Sequence, residues 1–450
     1  MRAPVRKPPD AQSRRLLRLL LTLSLPTVAE EILATLLQYV DTAMVGQLGE
    51  QATASVSITT NVTWLVNSVP GAIGTAVLVL ISKAAGAGDR RQVQKLSQQA
   101  LLMAVVSGAV LGAASMALAP VIPVWMGAEA AICAQASRYF FIISVPLVFR
   151  TVSSVLGDAL RAVQNTRTPM LISVGANVLN IGLNSLLIYT LGLGVDGAAV
   201  ASAVSYALSG VLMLAACRKN AQLFYPWRSF APDRRLLRAC VRVGLPVLGS
   251  SVVACLGYVV FASLVTSMGT TVFAAHSIAV TAETVFYVPG YGLRTAASAL
   301  IGSARGERDA VKLKTVTRLS AVLTVALMCL SGLALYFGAL PLMRLFTPVD
   351  AVAELGASML RLVALSEPFF GLMVVLEGVF YGLGRTRYAF FVETLGMWGV
   401  RILLTFLRVR VWGLSLTAVW CCMIADNVCK AVLFALPFLR RSSRRSLLEA

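Results

Sequence analysis

Charge and histidine are scarce in this chain. Only 13% of its 450 residues are charged, and there is a single histidine, His276. The eight cysteines form no CxxC pair and no Cys/His cluster, so we expect neither a zinc nor a haem site and no other cofactor. The sequence also lacks a DxxxD motif and a glycine-rich filter repeat, which counts against a membrane prenyltransferase and against a channel. The residues therefore do not indicate an enzyme.

Apolar residues make up most of what is present, at 58% of the chain. A soluble protein this apolar would have too little polar surface, which predicts a polytopic membrane protein. The spans must be helices, because a backbone in hydrocarbon has to form its hydrogen bonds within each segment, and the alternating pattern of a membrane barrel is absent. We therefore predict an all-α membrane protein with about twelve transmembrane helices, at residues 20–45, 54–82, 97–122, 131–157, 168–191, 195–217, 240–268, 272–303, 317–342, 352–382, 388–409 and 412–438.

The second half of the chain repeats the first half 220 residues later. Pro26 matches Pro246 and Gly86 matches Gly306, and both differences (246 − 26 and 306 − 86) equal 220. An apolar chain of two similar halves is typical of a secondary transporter whose substrate path lies between the halves. We predict two six-helix lobes related by a pseudo-two-fold axis along the membrane normal: an N-terminal lobe at 1–217, a cytoplasmic linker at 218–239 and a C-terminal lobe at 240–450.

Lysine and arginine cluster in alternate loops between the apolar runs. Because basic loops stay in the cytoplasm, this pattern predicts cytoplasmic N- and C-termini in a plasma membrane, the inner membrane of a bacterium. Arg408 and Arg410 fall on the opposite side, and snorkelling to the interface is our only account of them. The net charge of +19 lies in these loops, so we expect no nucleic-acid partner.

Asp41, near the end of the first span, is the clearest charge inside an apolar run, and Gln38 precedes it by one turn. Ionisable groups inside a membrane are costly and usually functional. One interpretation of Asp41 is therefore an ion or substrate site, and the other is a carboxylate in water at the interface. Gln38, and Asn177 in the fifth span, are candidate substrate or cavity residues.

Three asparagines of the fifth span share one helical stripe. Asn177, Asn180 and Asn184 have the spacing i, i+3, i+7. Such a stripe can offer amide oxygens to a cation, and it can equally join helices by hydrogen bonds. Ser202 in the sixth span is a candidate partner, although a small residue there also permits close helix packing.

The repeat helps to decide between a functional and an architectural role, because Asp41 and the three asparagines occur in one half of the chain only. At the 220-residue offset Asp41 corresponds to Phe261, and the three asparagines correspond to apolar residues, Met397, Val400 and Leu404. An architectural role would be expected in both halves. We infer that the coupling site lies in the N-terminal lobe.

The second half carries a polar set of its own, with charges of both signs. Opposite charges predict mutual ion pairs, for example between Glu393 and Arg401 two turns later. We interpret the set as a structural or cavity-lining network, with Glu283 and Glu377 as candidate substrate or cavity residues. Its members are Glu283, Arg294, Glu367, Glu377, Glu393, Arg401 and Asp426.

With these residues identified, the chain resembles the multidrug and toxic compound extrusion (MATE) family. The resemblance rests on VDTAMVGQLG at 40–49, GAGDRR at 86–91, NVLNIGLNSLLIY at 177–189 and GLGRTR at 382–387. It implies twelve helices in two lobes and the export of organic cations and other small amphiphilic drugs in exchange for H+ or Na+. Membrane lipids are the other expected partners, and we expect a monomer.

The resemblance also implies roles for individual residues. It assigns the coupling ion to the acidic residue of the first helix, Asp41, where Na+ is one candidate. One branch of the family surrounds that residue with an Asn and an Asp of the fifth helix, a Thr of the sixth and a Tyr of the fourth; the positions here are Asn180, Asn184, Ser202 and Tyr139. Asn184 departs from that branch and leaves one carboxylate.

Another branch of the family uses acidic residues in the seventh and tenth helices. The corresponding positions here, near Ala254 and Phe370, are apolar, so we do not transfer that site.

A mechanism follows as a hypothesis: a proton or Na+ competes with a cationic drug for Asp41, or bends the first helix near Pro26, and the lobes then exchange access. The rival function is a lipid-linked precursor flippase, which needs cationic residues to hold pyrophosphate. Arg150, Arg294 and Arg401 are the candidates for that role.

Overall fold

A computed structural model describes residues 9–224, 232–411, 413 and 415–439. Residues 1–8 and 440–450 at the chain ends, with their basic residues, and residues 225–231 of the predicted linker lie outside the described residues. Within that part of the chain the structure consists of helices: α1 Pro9–Gly46, α2 Glu50–Gly86, α3 Arg90–Leu118, α4 Ile122–Trp125, α5 Ala130–Ser144, α6 Leu147–Ala162, α7 Arg167–Asn184, α8 Gly194–Lys219, α9 Arg234–Thr266, α10 Thr270–Tyr287, α11 Pro289–Gly306, α12 Ala310–Phe346, α13 Asp350–Ala364, α14 Glu367–Gly382, α15 Thr386–Thr394, α16 Leu403–Phe406 and α17 Leu416–Leu439.

Three stretches are wound as π-helix. One follows α7 directly, and the other two flank α16. Turns of π-helix are rare and are frequently found at functional sites, because they shift the side chains that follow them around the helix axis. The three segments are Ser185–Thr190, Leu395–Ile402 and Leu407–Val411.

The described helices account for the predicted number of spans. Nine are long and apolar enough to cross a membrane, and three bent pairs raise the number to twelve if each pair is one span. The pairs α5/α6, α10/α11 and α13/α14 bend by 50°, 42° and 56°. A proline stands at or beside the start of each second helix, where its missing N–H costs least: Pro146, Pro289 and Pro368. The prediction of an all-α membrane fold is confirmed.

The backbone repeats with the sequence. The bounds of α5 and α6 recur 220 residues later as the bounds of α13 and α14, so both halves break the same span at the same place. The repeat of the helix bounds is not exact, since α3 and α4 together correspond to the single helix α12. Helix α2 continues through Pro70, whereas the matching segment is divided into α10 and α11 just before Pro289.

The chain forms two compact units. One contains the described parts of Met1–Glu31, Gly86–Gly88 and Leu256–Ala450, and the other contains Ile32–Ala85 and the described parts of Asp89–Cys255. Helix α1 therefore contributes its first part to one unit and its last part to the other. The lobe boundaries proposed from the sequence, at 217 and 240, stay a prediction.

Small residues permit the close packing of helices within the second of these units. At Gly108 of α3, an added Cβ would lie 2.7 Å from the Val148 Cα and 3.1 Å from the Thr151 Cβ of α6. Between apolar helices there is little hydrophobic gain from association, so close van der Waals contact at small residues supplies much of the stability.

We expect Gly108→Ala to destabilise the protein by about 1–3 kcal/mol, because the new methyl group would push α6 away. Gly175→Ala is the matched control, since nothing lies within 4 Å of a Cβ built there. Thermal midpoints from fluorescence-detected gel filtration would compare the two variants. Equal midpoints would show that α3 and α6 can separate at little cost.

Candidate ion-coupling site

Asp41 lies near the end of α1, and the structure places it against the end of α7. The Nδ2 of Asn184 donates a hydrogen bond to Oδ1 of Asp41. Asn184 is completely buried, whereas Asp41 is partly exposed. The carboxylate therefore has a protein partner on one side and remains accessible on the other.

The hydrogen bonds continue from Asn184 to α8. Its Nδ2 also contacts Oδ1 of Asn180 at 3.2 Å, and Nδ2 of Asn180 donates to Oγ of Ser202 at 3.3 Å. Asn180 and Asn184 are one helical turn apart, so both side chains face the same neighbours. The structure thus brings together four of the five predicted coupling residues as one chain of contacts.

Tyr139 of α5, the fifth predicted residue, lies near this chain without a hydrogen bond to it. It interacts electrostatically with Asp41, and also with Arg150 and Tyr206. Its ring packs beside the cluster of buried residues that includes Phe140 and Ala199. Tyr139 is therefore near enough to interact with the acidic site and with Arg150, which the sequence suggested only as a flippase residue.

The π-helical segment after Asn184 anchors the end of α1. Tyr189, within that segment, donates its hydroxyl hydrogen to the carbonyl oxygen of Met44 at 3.0 Å or to Oε1 of Gln47 at 2.8 Å. The segment is thus attached to α1 on the C-terminal side of Asp41. Sequence reasoning missed this contact, because nothing in an apolar run marks a change to π-helix.

The oxygen atoms at this site are of the kind that hard cations prefer. They comprise the carboxylate of Asp41 and the amide oxygens of Asn180 and Asn184. The Oδ1 of Asn184 is buried and has no hydrogen-bond partner. No group of three or more His, Cys, Asp or Glu residues that could hold a metal occurs among the described residues. Carboxylate and amide oxygens are ligands that a hard cation prefers, whereas soft transition metals prefer sulfur ligands.

The remaining candidates of the first lobe lie close to this chain in sequence but outside its hydrogen bonds. Gln38 is exposed on α1, one turn before Asp41, and Asn177 is half-buried on α7, one turn before Asn180. Helix α1 continues through Pro26. Beside that proline, the Thr27 hydroxyl donates to the carbonyl oxygen of Gly292 in α11 at 2.8 Å. Thr27 ties this part of α1 to α11, and a bend at Pro26 stays a prediction.

Comparison with known proteins assigns the family. The model of the MatE family matches residues 26–186 and again residues 246–407, which is most of the chain and reproduces the 220-residue repeat. The chain belongs to the MatE family. MatE proteins are transporters, and this membership together with the apolar helices makes the chain an integral membrane protein. The resemblance read from its motifs is confirmed.

Curated relatives in the MatE family span nearly the whole chain. A probable multidrug resistance protein NorM of Thermotoga maritima is 26% identical over 93% of this chain and 91% of its own length. A protein of the same description from Bradyrhizobium diazoefficiens is 28% identical over 89% of this chain and 88% of its own. These relatives support a multidrug efflux transporter.

Solved MatE-type structures share the fold. A multidrug resistance MATE family transporter in an outward-facing conformation superposes with a TM-score of 0.90 at 21% identity, over 98% of each chain. A MOP superfamily transporter from Pyrococcus furiosus also gives 0.90 at 21% identity, over 99% of this chain and 100% of its own. At this identity the likeness establishes the two-lobe helical fold alone.

The unit that contains most of the second MatE repeat holds a different set of charges. Asp426 of α17 is fully buried; its Oδ2 lies 2.9 Å from Nε of Arg401, and its Oδ1 lies 3.3 Å from Nζ of Lys430. Lys430 also reaches Oε2 of Glu393 at 2.9 Å. The predicted pairing of Glu393 with Arg401 is therefore wrong.

Lys430 was not among the residues predicted from the sequence. Its pairing with Asp426 could have been predicted, because the two residues are four positions apart on one helix and carry opposite charges. The error at Glu393 has a physical cause as well. The π-helical segment Leu395–Ile402 separates Glu393 from Arg401, so their angular relation differs from that of two α-helical turns.

Glu377 and Glu283, the two cavity candidates of the second half, are both buried but have different surroundings. Glu377 accepts hydrogen bonds from Nη1 of Arg294 at 2.9 Å and from the hydroxyl of Tyr381 at 2.5 Å. Glu283 interacts electrostatically with Arg401 and with Glu367, whose two carboxylate oxygens are buried without a hydrogen-bond partner. Ion pairing thus explains how Glu377 can be buried, but it does not explain the burial of Glu367.

We expect Asp426→Ala to destabilise the protein by about 3–5 kcal/mol, because it leaves two buried cations without this carboxylate. Asp350→Ala is the matched control. Asp350 pairs with Arg344 at 3.5 Å in an exposed position, where an ion pair contributes about 0–1 kcal/mol. Denaturant titration of the purified variants would measure both losses. Similar losses would mean that the buried carboxylate contributes no more than a surface one.

Proposed function

We propose that this MatE chain is a secondary active antiporter that exports cationic or amphiphilic drugs in exchange for H+ or Na+ by alternating access. The observation that carries the proposal is the partly accessible carboxylate of Asp41, at the end of the hydrogen-bonded chain through Asn184 and Asn180 to Ser202. The protein acts as a monomer in a bacterial inner membrane, with both termini in the cytoplasm.

Competition at Asp41 supplies the coupling in this proposal. A proton or Na+ that binds there neutralises the carboxylate and weakens its attraction for a cationic drug. For Na+ the free Oδ1 of Asn184 would be a second ligand beside Asp41. Because a ligand shifts a conformational equilibrium only by its different affinity for the two states, the ion must bind one state of α1 better than the other.

The alternative of a lipid-linked precursor flippase has less support. It needs cationic groups free to bind a pyrophosphate, and three arginines are candidates. Arg294 is paired with Glu377 and Arg401 with Asp426. Only Arg150 of the three has no carboxylate within ion-pair distance in the described part of the chain. One cation is a weak site for a group with several negative charges.

We expect Asp41→Asn to abolish coupled drug export, because the amide cannot exchange a proton and binds Na+ poorly. Ethidium efflux from cells would be measured for the wild type and the variant, with the proton gradient or the Na+ gradient collapsed in turn. Asp350→Asn, at an exposed aspartate, is the control for expression and folding. Full coupled export by Asp41→Asn would refute the proposed coupling site.

The ion is identified by the same experiment, since export by the wild type should stop under only one of the two collapses. A wild type that exports no dye under either condition would contradict the proposed drug export. Binding of a lipid pyrophosphate by the purified protein would then favour the flippase.

We expect Asn184→Ala to lower coupled export by on the order of 10-fold or more, because it removes the hydrogen-bond donor to a charged, partly buried carboxylate. Asn177→Ala is the matched comparison on the same stripe of α7 and should cost less, since Asn177 lies outside the chain of contacts. Initial rates of dye efflux at matched expression would rank the two. An equal loss would indicate that the stripe acts through helix packing.

A further inference from the structure

Two arginines of the second half, Arg305 and Arg385, lie close together where α11 ends and α15 begins. Arg305 is the next-to-last residue of α11, and Arg385 directly precedes α15. The two are near enough to repel each other electrostatically. The Nε of Arg305 is buried and has no hydrogen-bond partner. A buried N–H of a cation, beside a second cation, is unfavourable unless an anion binds there.

The acidic residues that follow α11 are engaged by other groups. Glu307 accepts a hydrogen bond from the Ser303 hydroxyl at 3.0 Å and pairs with Lys312. Asp309 accepts from the backbone N–H of Lys312 at 2.9 Å and so caps α12. In the described part of the chain, no carboxylate lies within ion-pair distance of Arg305.

The turn before α15 is shaped to receive the guanidinium of Arg305. A Cβ added at Gly384 would lie 2.5 Å from its Nη1. Gly384 has a φ of 69°, but Gln164, the residue 220 positions earlier, has a φ of 65°. The backbone conformation alone therefore does not require glycine at this turn. The absent side chain instead leaves the space in which the guanidinium of Arg305 lies.

The arginine pair occurs in one half of the repeat only. Arg305 corresponds to Ala85 and Arg385 to Asn165, since 305 − 85 and 385 − 165 both equal 220. Asn165 accepts a hydrogen bond from the backbone N–H of Thr168 at 3.2 Å, at the start of α7. The side chain of Arg385 makes no capping hydrogen bond at the start of α15. The positive end of the α15 dipole thus adds to the charge of two arginines, which favours an anion.

The exposed face of α15 and of the π-helical segment after it indicates the kind of anion. Its exposed residues begin with Arg387 and continue with Phe391, Leu395 and Trp398. An apolar face open to the surroundings of a membrane helix contacts lipid chains. A basic group at the end of such a face is the usual arrangement for an anionic lipid, whose headgroup meets the cations while its chains follow the helix.

We propose that Arg305 and Arg385, at the N-terminus of α15, form a binding site for a phosphate group, with an anionic phospholipid as its source. A guanidinium binds phosphate oxygens through two parallel hydrogen bonds, so the site matches this group in charge and in geometry. The site is a binding property of these helices and does not depend on the proposed drug export.

Native mass spectrometry of the purified full-length chain, titrated with dioleoyl phosphatidylglycerol, tests the site. We expect Arg305→Gln and Arg385→Gln each to weaken binding of the first lipid by about 10-fold, as for the loss of one charge-assisted contact. Lys314→Gln is the matched control, because it removes an exposed cation near the start of the neighbouring helix α12. The control should weaken binding by less than about 2-fold, as for an exposed and screened charge.

Two further variants separate the geometry of the site from its charge. Gly384→Ala keeps every charge but places a methyl group where the guanidinium of Arg305 lies, so it should weaken lipid binding. Arg305→Lys should bind the lipid better than Arg305→Gln but less well than the wild type, because the charge remains while the two-pronged geometry is lost. Equal weakening by Lys314→Gln and Arg305→Gln would indicate general attraction to basic loops and would overturn the site.

Inorganic phosphate distinguishes a lipid headgroup from a soluble phosphate. Selective weakening of phosphatidylglycerol binding by the arginine variants assigns the site to a lipid. A soluble phosphate is indicated if the variants bind this lipid like the wild type, while millimolar inorganic phosphate raises the thermal midpoint of the wild type and not of Arg305→Gln. The absence of both effects would overturn the proposal.

Discussion

A polar group placed among apolar helices is stabilised by a partner, and this constraint accounts for the surroundings of Asp41 in one unit and of Asp426 in the other. Hydrocarbon offers neither water nor hydrogen-bond donors, so an unpartnered charge there is costly. In one unit Asn184 supplies a partner for Asp41. In the other, Asp426 is surrounded by Arg401 and Lys430. The first arrangement leaves the carboxylate partly accessible, as the proposed ion exchange requires, whereas the second encloses the carboxylate between two cations.

The two halves of the chain show how one backbone can carry two kinds of chemistry. Phe261 occupies the position that corresponds to Asp41. Its ring lies 5.6 Å from the ring of His276 and 5.8 Å from the guanidinium of Arg401. Aromatic and cation–π contacts thus stand where the first half has the carboxylate of Asp41. The helix bounds beside both positions still repeat, since α1 ends at Gly46 and α9 ends 220 residues later at Thr266. The repeat fixes the geometry of the spans and leaves the choice of side chain open.

Much of the fold and of the candidate site could be predicted from the sequence where the information is local. Apolar runs gave the spans, and the i, i+4 spacing of Asn180 and Asn184 placed both side chains on the face that meets Asp41 and Ser202. Contacts between distant helices were harder to predict, because no local pattern indicates that the guanidinium of Arg150 lies over the ring of Tyr206. The π-helical segments could not be predicted from the sequence either. A segment in which hydrogen bonds run from i to i+5 has no composition of its own, and it redirected Arg401 away from Glu393.

The longest helices exceed what a bilayer requires. Helices α2 and α12 have 37 residues each, and at a rise of about 1.5 Å per residue each is roughly 55 Å long, against a hydrocarbon core of about 30 Å. Their ends must therefore extend through the headgroup region into water or be brought closer to the membrane plane by tilt. Such helices can meet a thicker or thinner membrane by changing their inclination, without exposing backbone or stretching lipid. Hydrophobic mismatch should consequently place little restriction on the membranes in which this transporter can reside.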